Sequence, residues 1–133
     1  MNDLISYSSS IGRAVFHIGF KAKYCHKIFG IEEVRNRCRE IFLSVAEKYN
    51  ISVYKIGFDD DHVHFEADIG LKSIPEIAKL FKGTSGYKLL KEFPWLKKKF
   101  FWGSGLWSPV VYFDSVGQNH EIISDYIASQ KYH

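Results

Sequence analysis

The sequence predicts an α+β fold: a ferredoxin-like βαββαβ antiparallel sheet with helices on one face, plus a C-terminal helix. Three observations carry this. Apolar and polar residues alternate with the period of a strand in several stretches, notably Arg13 to Phe20 and His62 to Ile69. Between them lie segments with three- and four-residue apolar spacing. The order strand, helix, hairpin, helix, strand is that of a split βαβ arrangement, in which the first and third strands are central neighbours.

The elements follow in order. Arg13 to Phe20 places Ala14, Phe16, Ile18 and Phe20 on one face and His17 on the other. After Gly30, a helix is marked by Ile31, Val34, Cys38, Ile41, Phe42 and Val45 and ends near Tyr49-Asn50. Ile51 to Phe58 is rich in β-forming residues, Asp59-Asp60-Asp61 makes a turn, and His62 to Ile69 alternates again, which is a hairpin. Ser73-Ile74-Pro75-Glu76 reads as a helix start, with a serine cap, an early proline and a glutamate at the third helical position. That helix runs through Ile77, Leu80 and Phe81 toward Leu90, and Gly83 and Gly86 should loosen or split it. Pro94 and residues 103–105 break the pattern, Leu106 to Val116 forms the fourth strand, and residues 120–131 form the last helix after Asn119. His17 is then expected beside the strand that carries His62 and His64.

A chain of 133 residues and 15.4 kDa suits one domain spanning residues 1–133. Its hydrophobic content of 46% argues against disorder, and it has no apolar run long enough to cross a bilayer. The start, Met1-Asn2-Asp3-Leu4, lacks the pattern of a secretion signal, so the expected compartment is the cytoplasm. Two cysteines make no disulfide framework there; Cys38 falls on the apolar stripe of its helix. The net charge of +3 is unevenly spread. Residues 71–100 hold eight lysines against Glu76 and Glu92, whereas the rest of the chain is net negative. That basic stretch also carries Phe81, Tyr87, Phe93, Trp95 and Phe100, a combination suited to phosphates and unstacked bases, or equally to a solvated lysine face over an aromatic core.

The chemistry concentrates in two short patterns. On a strand, His62 and His64 share a face while Val63 points away; on a helix, Tyr126 and Gln130 share a face one turn apart. Two imidazoles and an amide oxygen can hold a divalent metal while leaving coordination positions open. A phenol can attack what that metal activates, though with an ordinary pKa near 10 it needs positive charge nearby. A bare H-x-H pair recurs by chance as a surface feature, and a tyrosine on a terminal helix is usually packing. Glu66 and Asp68 continue the histidine face, and Glu66 is a further candidate to orient a histidine or join the metal.

The chain resembles the single-tyrosine HUH transposases of small insertion sequences, essentially end to end. The resemblance rests on Phe16-His17-Ile18 leading to Lys21-x-Lys23-Tyr24, on Asp61-His62-Val63-His64, and on Leu80-Phe81-Lys82-Gly83-Thr84-Ser85. It continues through Leu106-Trp107-Ser108, Phe113-x-Ser115-Val116-Gly117 and Tyr126-Ile127-x-x-Gln130. It implies cleavage and rejoining of single-stranded DNA at element ends through a 5′-phosphotyrosine. His62, His64 and Gln130 would hold Mg²⁺ or Mn²⁺, and Tyr126 would be the nucleophile. It also implies recognition of subterminal DNA hairpins and a homodimer in which a partner's tyrosine helix can complete the site. Candidate DNA contacts are Lys21, Lys23, Lys79, Lys82 and Lys88. The chain departs from the family pattern at Cys25-His26, where relatives carry basic residues, and at Phe65-Glu66-Ala67-Asp68, where they carry aliphatics.

Two other readings compete. An RRM-like module would hold single strands by stacking, without chemistry, and gives no reason for His62, His64, Tyr126 and Gln130 to occur together. A replication- or conjugation-type HUH nickase shares the chemistry but serves another process.

Overall fold

The computed structural model describes residues 5–7, 10–101 and 103–116. A short hairpin comes first, β1 (Ile5–Tyr7) paired antiparallel with β2 (Ser10–Gly12), which the sequence did not announce. The main elements are β3 (Val15–Ala22), α1 (Glu32–Lys48), β4 (Ser52–Phe58), β5 (His62–Asp68), α2 (Ile74–Glu92), a short α3 (Pro94–Leu96) and β6 (Trp107–Ser115). Two 3₁₀ turns, Lys23–Cys25 and Ile28–Gly30, link β3 to α1. The C-terminal helix expected over 120–131, with Tyr126 and Gln130, lies outside the described residues.

The four main strands form an antiparallel sheet in the order β4-β5-β3-β6, so the first and third of them are the central pair, as the split βαβ order requires. Alternation settles the two faces. Ile18, Phe20 and Ala22 of β3 and Val63, Phe65 and Ala67 of β5 are buried beneath the helices. From α1 come Val34, Cys38, Ile41, Phe42 and Val45, the stripe read from sequence, and from α2 Ile77, Phe81 and Leu89. Rings interlock at the centre: Phe42 stands 5.0 Å from Phe81 and 5.5 Å from Phe65, and Phe20 lies 5.4 Å from Phe65. Each such fully buried ring contributes about 1.5–3 kcal/mol relative to exposure.

α2 begins on the expected capping box. The Ser73 hydroxyl accepts from the Glu76 backbone N–H, and the Glu76 carboxylate accepts from the Ser73 N–H. The helix does not split at Gly83 or Gly86, as its glycines had suggested; it runs unbroken to Glu92. Packing accounts for the difference. The buried face of α2, Ile77, Ala78, Phe81, Ser85 and Leu89, holds the helix against the sheet, and a β-carbon on Gly86 would meet the Trp107 indole at an ordinary 3.5 Å. The same contact is locked by polar bonds. Trp107 Nε1 donates to Ser85 Oγ at 2.9 Å, and Ser85 donates in turn to the Phe81 carbonyl at 2.6 Å. Lys82 Nζ donates to the carbonyls of Ser108 and Val110 at 2.7 and 3.0 Å. Among the described residues, no helix is long and apolar enough to cross a membrane.

Candidate functional site

The histidines occupy the sheet face away from the helices. Register places Lys21 opposite His62, Gly19 opposite His64 and His17 opposite Glu66 across the β3–β5 pair. Across the β3–β6 pair, Tyr112 faces Gly19 and Asp114 faces His17. Laterally paired residues share a face, so these side chains form one polar patch. A cavity of about 250 Å³ opens there, lined by Gly19, Phe20, Lys21, His62, His64 and Tyr112.

The His62 and His64 rings stand nearly perpendicular, with centroids 4.7 Å apart. Each is held at Nδ1. His62 Nδ1 is 2.7 Å from Asp61 Oδ1, and His64 Nδ1 is 3.0 Å from His17 Nε2. The His17 and His64 rings are close to parallel, with centroids 4.9 Å apart. Burial, reinforced by His62 and His17, pushes the His64 pKa down to about 3, so this imidazole is neutral near pH 7. Burial also lowers His17, against the opposing pull of the Asp114 carboxylate.

Gly19 makes room for this arrangement. A β-carbon there would stand 2.9 Å from both Cε1 and Nδ1 of His64. Only a residue without a side chain lets the ring lie over β3. Imidazoles anchored at Nδ1 and lining an open cavity fit a divalent cation. Among the described residues, no group of three or more His, Cys, Asp or Glu side chains is arranged to hold an ion.

Glu66 lies on the expected face but is wholly buried, opposite His17 and outside the cavity lining. The lysines divide between two faces. Lys21 lines the histidine cavity, and Lys23 follows at the end of β3 with its amine 5.7 Å from the exposed Tyr24 ring. Lys79, Lys82 and Lys88 sit on α2, beneath the opposite face, and Lys82 is turned inward onto β6. Of the rings in the basic stretch, left open between stacking and core, Phe81 is core and Tyr87 is 66% exposed. His26 is packed against Tyr24, Phe100 and Phe101, whereas Cys25 is exposed.

A larger groove of about 980 Å³ runs between α2 and β6; among the described residues its lining is mostly apolar, with Lys79, Lys82, Tyr87 and Ser108 and no histidine or carboxylate. Sequence reasoning missed Gly19 and Tyr112 as site residues. Alternation within each strand would have put them on the right face, but only the register brings them to His64.

The chain is similar to known proteins in sequence and in fold. The sequence model of the family described as "Transposase IS200 like" matches residues 10–130. The chain is 30% identical over 117 residues to the ISDra2 transposase TnpA of Deinococcus radiodurans, covering 86% of this chain and 82% of that one. In fold it is similar to a Deinococcus radiodurans R1 protein assigned as a transposase, with a TM-score of 0.76, 24% identity and coverage of 97% and 99% of the two chains. It is also similar to a REP-associated tyrosine transposase bound to a REP hairpin, with a TM-score of 0.65, 9% identity and coverage of 92% and 70%.

Proposed function

We propose, from the premise that this chain belongs to the IS200-like transposase family, that it cuts and rejoins single-stranded DNA at insertion-sequence ends through a 5′-phosphotyrosine. The observation that carries the reading is the pair His62 and His64, each anchored at Nδ1 beside an open cavity. With Gln130 they would hold Mg²⁺ or Mn²⁺, which when bound polarises the scissile phosphate.

The chain's own groups supply the rest. The Tyr126 phenol gives up its proton to solvent as its oxygen bonds to phosphorus, the bond from phosphorus to the 3′ oxygen breaks, and that oxygen takes a proton from solvent and leaves as a 3′-hydroxyl. The 5′-phosphate stays on Tyr126, so the phosphodiester energy is kept and a 3′-hydroxyl can reverse the step. Lys21, opposite His62, is placed to balance phosphate charge at the cavity.

A subterminal DNA hairpin is the proposed recognition element, supported by the hairpin bound to the solved relative. The proposed assembly is a homodimer in which one subunit's tyrosine helix can complete its partner's site. It is supported by β6, a sheet edge among the described residues, which leaves Val110, Tyr112 and Phe113 about half exposed.

The test is incubation with labelled single-stranded element ends and Mn²⁺. A transposase forms a denaturant-resistant adduct and joins the ends it cuts. Cutting with resealing only of the original junction would favour a nickase, and binding without an adduct would favour a non-catalytic module.

A further inference from the structure

We propose that His17 is a positioning residue for His64, accepting a hydrogen bond from its Nδ1–H so that its Nε2 is left as the bare nitrogen of the cavity. This rests on the metal-site reading above and adds a residue to it. A neutral imidazole carries one ring proton, so the partner of one nitrogen decides whether the other can be a ligand.

At His62 two carboxylates face the ring, but Asp61 Oδ1 is at hydrogen-bond distance from Nδ1, 2.7 Å, whereas Asp59 Oδ2 stands 3.7 Å from Nε2, so the proton sits on Nδ1. At His64 the corresponding neighbour is another imidazole, His17 Nε2 at 3.0 Å, which can either accept or donate. Its surroundings choose. In register, His17 lies between Glu66 of β5, wholly buried, and Asp114 of β6, both acidic and on the same face. Acceptors on both sides favour His17 carrying its proton on Nδ1, which leaves Nε2 to accept from His64. Gly19 completes the device, because its missing side chain lets the Nδ1–Cε1 edge of His64 lie against β3.

The experiment combines Mn²⁺ titration of the full chain with nitrogen NMR of the His64 ring in metal-free protein, for the wild type, His17→Ala, His17→Gln and His64→Ala. The expected result is an Nδ1–H tautomer at His64 in the wild type, and Mn²⁺ affinity lowered roughly 10- to 100-fold in His17→Ala. His17→Gln, whose amide oxygen can accept in place of Nε2, should recover most of that loss. A wild-type His64 protonated on Nε2 overturns the proposal, even where His17→Ala fails to fold. So does unchanged Mn²⁺ affinity in a folded His17→Ala protein while His64→Ala loses binding, a result that leaves the metal-site reading standing. A wild-type protein that takes up no Mn²⁺ overturns both.

Discussion

Gly19 and His64 face each other across the central strand pair, and a β-carbon on Gly19 would come within 2.9 Å of the imidazole. The contact is a steric permission: the ring occupies the space that any other residue would fill. Gly19→Ala should therefore swing His64 out of position and lower Mn²⁺ affinity and single-turnover cleavage by roughly 10- to 100-fold. By strand propensity alone the alanine would stabilise by about 0.5–1 kcal/mol. Loss of activity with little change in thermal midpoint is the expected signature; full activity would mean that His64 has room to spare.

His62→Ala and His64→Ala should each block cleavage yet leave hairpin binding near the wild-type level, and a chelator should do the same to the unmodified protein. Gel-shift and cleavage assays on the same labelled hairpin separate the two effects. Undiminished cutting in excess chelator would remove the metal from the mechanism.

Ser85→Ala should cost about 1–3 kcal/mol, because the Trp107 indole N–H would then be buried without its acceptor. Urea denaturation measures it. Cleavage below the melting range should persist, since this bond lies beneath the sheet face opposite the histidines.

The two thiols should behave differently. Cys25 is exposed, whereas burial pushes the Cys38 thiol well above its ordinary pKa and closes it to reagents. Accessibility and the raised pKa of the buried thiol act together, so Cys25 alone should react with a thiol reagent in the native protein. Denaturant should release the second. Rapid native reaction of both would contradict the core packing around Cys38.

Much of this is legible in the sequence. The period-two alternation of His62 to Ile69 assigned Val63, Phe65 and Ala67 to the core and His62 and His64 to the other face, because strand geometry leaves no alternative. The stripe from Val34 to Val45 and the Ser73 cap were equally local signals. What a single strand cannot state is its register. That Gly19, Tyr112 and Lys21 meet the two histidines depends on how three strands align, and no local pattern encodes it. Gly83 and Gly86 misled for a related reason: intrinsic propensity argued for a break, and burial of Ile77, Phe81, Ser85 and Leu89 along one face of α2 outweighed it. Lys82 looked like a phosphate contact by charge, but two carbonyls of β6 hold it. Tyr126 and Gln130 lie outside the described residues, and their roles stand as proposals.

The most direct test of the central claim is a peptide map, by mass spectrometry, of the covalent DNA adduct formed in Mn²⁺. A nucleotide is expected on the peptide containing Tyr126, and no adduct in Tyr126→Phe. A nucleotide found instead on Tyr112, which lines the histidine cavity, or a normal adduct yield in Tyr126→Phe, would contradict it.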